Sequence, residues 1–154
     1  MRPTPFIALT LLAALGGAAT SAQAQSSAVY DQNCAMCHQR AGAGVPGAFP
    51  RLAGRAGALA ALPAGRSVMI STVLFGMSGK VQADGQPVSG MMPSFGSLSD
   101  AQISEALNYV AHLNGKTPRA FTPAEVAAVR AKPTLTPAQV NALARAPALV
   151  AAAP

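Results

Sequence analysis

The chain has 154 residues, enough for one domain with some tail and too few for two. Charged residues make up 10% and aromatics 5%, with no Trp, so large core side chains are scarce and an apolar group from outside the chain would fill the gap. The formal charge of +6 comes from 11 Lys and Arg spread without a basic run or interleaved aromatics. That pattern argues against nucleic acid and suits either an acidic protein surface or plain solubility.

Residues 1–24 read as a secretory signal peptide: Arg2 at the positive end, an apolar run through Phe6, Ile7, Leu9, Leu11, Leu12 and Leu15, and a small-x-small cleavage site at Ala22-Gln23-Ala24. The run is short for a membrane span, so the expectation is cleavage, export to the periplasm and no stable membrane insertion, with an uncleaved anchor as the alternative. Ser26 or Ser27 can cap a helix through Val29, Tyr30 and Asn33, with Tyr30 packing on the last major helix.

That helix leads into Cys34-Ala35-Met36-Cys37-His38, a C-x-x-C-H run with the spacing of c-type haem attachment. Two thiols reach two vinyl groups of one haem, and the histidine after them meets the iron from the same side. At a helix end the three side chains fall around roughly one turn, about the footprint of one macrocycle edge. A redox dithiol and half of a zinc site are the alternatives. The first wants a βαβ context, and the second wants four ligands from a chain with two Cys and two His.

From Arg40 to Gly47 small residues mark an irregular loop that lets backbone approach a flat cofactor. In the following Phe49-Pro50-Arg51-Leu52, Pro50 lacks an N–H, and its turn can set a carbonyl beside the proximal imidazole while Leu52 covers haem surface. An ordinary turn proline is the alternative. A buried helix is expected from Pro63 to Gly76, with Met69 and Met77 as packing groups. Val81 to Ala83 and Gln86 to Val88 flank the turn signal Asp84-Gly85, giving a small hairpin that Pro87 keeps short.

Haem iron bound this way wants a sixth ligand, and a thioether opposite imidazole favours the reduced state. Met92, before Pro93 in a loop bounded by Gly90 and Gly96, is the choice; Met91 is the alternative, and His112 or water the remaining one. Ser99-Asp100-Ala101-Gln102 is a capping box opening a helix with an Ile103, Ala106, Leu107, Val110 stripe, closed by Asn114-Gly115, with His112 on the solvent face. The segment 116–154 carries two echoes, Thr122-Pro123 and Thr136-Pro137, each a cap followed by proline at the first helical position. Two short helices are expected, folded on the domain or docking a partner subunit, with the chain loose after Pro147.

Four stretches, Cys34-Ala35-Met36-Cys37-His38, Phe49-Pro50-Arg51-Leu52, Gly90-Met91-Met92-Pro93-Ser94-Phe95 and Leu107-Asn108-Tyr109-Val110, make residues 26–115 resemble a class I cytochrome c. The resemblance implies an all-α cytochrome c fold around one covalent haem c, here with a short β-hairpin and a C-terminal helical tail, and Met92-Pro93 resembles the family's distal Met-Pro. With both axial positions filled by His38 and Met92 the iron has no open site for substrate, and two His with five carboxylates assemble no other catalytic set. The expectation is therefore a periplasmic one-electron carrier, not an enzyme, meeting redox partner proteins such as a dehydrogenase, an oxidase or another cytochrome at a haem edge ringed by Ala41, Val45 and Met91. A dedicated cytochrome subunit of an exported molybdenum, quinoprotein or flavin dehydrogenase, and a haem-based ligand sensor, are the rivals.

Overall fold

Ser27 accepts the Tyr30 N–H on its side-chain oxygen and starts α1 (Ala28–Asn33), which runs into α2 (Ala35–His38). A computed structural model describes residues 27–113 and 119–152; the expected leader and the Asn114-Gly115 stop lie outside them. A 3₁₀ turn (Arg40–Gly42) follows, then α3 (Arg55–Ala60), α4 (Pro63–Phe75), the antiparallel strands β1 (Met77–Ala83) and β2 (Gln86–Met92), and α5 (Asp100–His112). The tail forms α6 (Pro123–Arg130), α7 (Pro137–Ala144) and α8 (Pro147–Ala152). No helix among the described residues is long and apolar enough to cross a membrane.

Local signals account for most ends. Pro63 opens α4 and Gly76, at φ 77°, ends it. Ser99 and Gln102 form the capping box of α5, and Thr122 with Glu125 and Thr136 with Gln139 repeat it on α6 and α7. The core is made where these helices cross: Tyr30 of α1, Met69, Ile70 and Leu74 of α4, Ile103, Leu107 and Val110 of α5, and Phe121, Val126 and Val129 of the tail. Tyr30 is fully buried, its ring 4.6 Å from that of Tyr109 on α5, and burial followed by the nearby Cys34 pushes its phenol up to about 12.

Three features depart from the sequence expectations. The hairpin is longer, seven pairs from Met77↔Met92 to Ala83↔Gln86. Pro87 does not shorten it: opposite Gln82, one step from the two-residue turn, it occupies a non-hydrogen-bonded pair where no N–H is needed. Helix α3, six residues of Ala, Gly, Arg and Leu, has no side-chain cap and no polar face to announce it. Residues 148–152 are not loose, because α8 packs against α3 with Leu149 buried.

The tail is joined to the domain by polar contacts as well as apolar ones. The Arg66 guanidinium of α4, 7% exposed, makes a two-pronged pair with Glu125 (3.0 and 2.8 Å), donates to the Arg119 and Ala120 carbonyls, and lies 3.9 Å over the Phe121 ring. Asn108 of α5 bonds both the N–H (2.7 Å) and the carbonyl (2.9 Å) of Phe121. Asn141 of α7 donates to the Lys80 carbonyl of β1 at 3.2 Å. Helices of eight residues are marginal alone, so these contacts make the tail helical.

The Arg66 pair, with Arg119 as a second partner, holds the Glu125 carboxyl down at about 2 from 4.5. A depressed acid stabilises the fold fully above its unfolded value and loses that contribution as pH falls from 4.5 toward about 2. Thermal unfolding across that window should show an acid-side fall in the native protein that Glu125→Gln removes. Asn108→Ala should cost about 2–3 kcal/mol in urea unfolding, since it leaves two buried backbone groups of Phe121 unpaired.

Candidate haem site

The C-x-x-C-H segment is one turn at a helix junction. Cys34 ends α1 with its N–H on the Tyr30 carbonyl (2.8 Å), and the same residue's carbonyl accepts from Cys37 (3.2 Å) and His38 (2.9 Å). Cys34 and Cys37 are not joined in a disulfide and both are half-buried. Burial, then the neighbouring Cys37, pushes the Cys34 thiol up to about 11.

His38 is 8% exposed. Its Nδ1 lies 2.9 Å from the Pro50 carbonyl, which can only accept, so Nδ1 carries the proton. Burial lowers the ring's pKa, opposed by the Pro50 bond, and the imidazole is neutral. Nε2 therefore holds the free lone pair, as a metal ligand requires. Pro50 reaches this place because the backbone turns back at Gly44, whose N–H bonds the His38 carbonyl (2.8 Å). A Cβ on Gly44, at φ 68°, would stand 2.6 Å from the Phe49 carbonyl oxygen and 2.8 Å from the Pro50 carbonyl carbon. Leu52 donates its N–H to Gly42 (2.8 Å), and its half-buried side chain packs on the core.

The methionines separate by position. Met69 is buried in the core, as a packing group. Met91 and Met92 are neighbours at the end of β2, so they point to opposite sides; Met91 is 75% exposed and Met92 half-buried. Met92 thus sits in a strand rather than a free loop, directly opposite Met77. Beyond it the chain is fastened to the C-terminus of α4, whose last carbonyls have no partner within the helix. The Phe95 N–H takes the Val73 carbonyl (2.8 Å) and the Ser94 hydroxyl the Leu74 carbonyl (2.5 Å). Gly76 lies against the Met92 backbone so closely that a Cβ would be 2.7 Å from the Met92 carbonyl oxygen. His112 is half-buried rather than solvated, its Nδ1 on the Asn108 carbonyl of its own helix.

This set of residues fits a covalently attached haem. Two thiols and a neutral imidazole nitrogen stand on one turn. Cys34, Leu52, Val73 and Phe75 all border the one core without being fully covered by it, and Val45 and Phe49, joined by an isolated β-bridge, are exposed apolar groups on the loop before Pro50. Sequence reasoning did not find Gly44 or Ser94 as supports. Their signals, a glycine six residues after the histidine and a serine two after Met92, acquire meaning only once the partners are known. Nor did it find Arg51, whose guanidinium pairs with Asp84 at the hairpin turn and donates to the Ala53 carbonyl (2.6 Å). That pair joins the segment next to Pro50 to the hairpin that ends in Met92, and it holds the exposed Asp84 carboxyl below its usual range.

Comparison with known proteins agrees with this geometry. The family model for Cytochrome c matches residues 23–114. One cytochrome c-552 of Thermus thermophilus is 42% identical over 133 residues, 83% of this chain and 88% of the relative. A second cytochrome c-552 of Thermus thermophilus is 41% identical over 125 residues, 78% of this chain and 94% of its own. Cytochrome c-555 of Chlorobaculum thiosulfatiphilum is 33% identical over 90 residues, 56% of this chain and 91% of its own. The first two alignments are longer than the family match. The chain belongs to the cytochrome c family, as a class I c-type cytochrome that carries haem c covalently and serves as a single-haem electron carrier.

Proposed function

We propose that the protein is exported to the periplasm and carries single electrons between redox partner proteins there, with Cys34 and Cys37 as the thioether anchors and His38 Nε2 and Met92 Sδ as the axial iron ligands. The observation that carries this reading is the hydrogen bond from His38 Nδ1 to the Pro50 carbonyl, which leaves Nε2 as a lone-pair donor one turn from both thiols. Haem c supplies an iron that alternates between two oxidation states.

The chain's own residues set the conditions. Pro50 fixes the ring plane and the tautomer of His38 and raises its basicity. Burial keeps the imidazole neutral, so no proton competes for Nε2. A Met92 thioether bound to the iron would favour the reduced state and exclude water, which would suit a carrier and not a gas sensor. Residues 119–152 fold onto α3, α4, α5 and β1 of their own chain, which suits a free carrier. Without Arg2 the exported chain keeps a formal charge of +5, one less than the +6 of the full sequence, which favours partners with an acidic docking face.

The test is a reduced-minus-oxidised visible spectrum with mass of the exported protein, expected to show one covalent haem, the weak red band of sulfur ligation and an N-terminus at Gln25. Met92→Ala should abolish that band, open the iron to carbon monoxide and lower the potential by about 0.1 V or more, a fraction of the ~0.8 V over which axial ligands tune haem. Met91→Ala should do none of these. The reverse behaviour of the two variants overturns the ligand assignment, and a protein retained in the cytoplasm overturns the location.

A further inference from the structure

Arg130 is the last residue of α6, distant in sequence from Met92, yet its guanidinium is committed to the segment that joins Met92 to α5. Nη1 donates to the Gly96 carbonyl at 2.7 Å, Nη2 to the Leu98 carbonyl at 2.8 Å and Nε to Asp100 Oδ1 at 2.8 Å. The same segment is held to α4 through Phe95 on Val73 and Ser94 on Leu74, and within itself by the Gly96 N–H on Ser94 Oγ (3.1 Å). A Cβ on Gly96 would stand 2.9 Å from the Leu74 carbonyl oxygen, so the segment has no room to move toward α4, and Arg130 stops it from moving away.

We infer that Arg130 is a positioning residue for the sixth ligand: the tail, through this one guanidinium, keeps the Met92 segment pressed on α4 and so sets how firmly the thioether stays on the iron. The inference rests on Met92 being that ligand. A mere surface ion pair would need only Asp100. Here two of the three acceptors are backbone carbonyls on either side of Ser97, a geometry that the planar fork of arginine serves and the point charge of lysine does not. Arg66 joins the same tail to the domain with an equally full set of bonds, but at residues 119–125 and not at the segment after Met92. Loosening the tail at the Arg66 end is therefore the control for loosening it at the Met92 end.

The experiment compares oxidised holoprotein carrying Arg130→Ala, Arg130→Lys, Glu125→Gln or Met92→Ala with the native form. Two temperatures are read for each, loss of the red sulfur band and loss of helical dichroism, together with the apparent affinity for added imidazole and the exchange rates of the Phe95 and Gly96 amides. Arg130→Ala should lose the band well below its helical transition, bind imidazole about tenfold more tightly as the open state becomes more populated, and release both amides. Arg130→Lys should restore little of this, and Glu125→Gln should lower the two temperatures together.

If Arg130→Ala behaves like Glu125→Gln, with imidazole affinity and the two amides unchanged, the positioning inference is overturned while the ligand assignment stands on Met92→Ala losing the band. If Met92→Ala keeps the band, the assignment itself fails and the inference with it.

Discussion

One nitrogen of His38 is bound to the carbonyl of Pro50, and that hydrogen bond decides the character of the other. A carbonyl cannot donate, so the proton is fixed on Nδ1 and the lone pair on Nε2. Burial adds to this by disfavouring the imidazolium. The surrounding chain serves to put Pro50 there: the reversal at Gly44, the bridge between Val45 and Phe49, and the two N–H bonds from Leu52 and Ala53 to the Gly42 carbonyl. Without that loop the C-x-x-C-H turn would still offer two thiols and an imidazole, but with either nitrogen free to carry the proton.

The distal half depends on the unpaired carbonyls at the end of α4. A helix C-terminus needs partners for its last carbonyls, and here the segment after Met92 supplies them. Satisfying the helix and seating the strand that carries Met92 are then one event. The hairpin carries Met92 to that point, and its turn returns to the proximal side through Arg51 and Asp84. An exposed pair of this kind contributes little stability, so its effect is on where the hairpin tip lies.

The tail belongs to the same construction. Its helices are short, rich in alanine and capped by their own threonines, and such segments gain most of their stability from what they lie against. Two arginines at opposite ends of α6 orient it, Arg66 reaching out from α4 and Arg130 reaching back to the start of α5. A chain with few large side chains thus supplements a thin apolar core with guanidinium groups bonded to backbone carbonyls.

What the amino-acid sequence determined by itself was everything that depends on neighbours within about one turn. The spacing of Cys34, Cys37 and His38, the proline at the head of α4, the glycine at its end and the Ser99, Thr122 and Thr136 boxes each contain both partners of the interaction within four residues or so. The Met92-Pro93 pair is also visible in the sequence, but that Met92 ends a strand opposite Met77 is not. Only the tertiary structure decided the rest: α3, which no local pattern marks; the full length of the hairpin; the burial of Leu149; and the contacts of Gly44, Ser94, Arg66 and Arg130. Each of these depends on an acceptor or an apolar face supplied by another part of the chain. A guanidinium reads as a solvated charge until folding brings carbonyls to it, and that closure of long loops is not written in any window of the sequence.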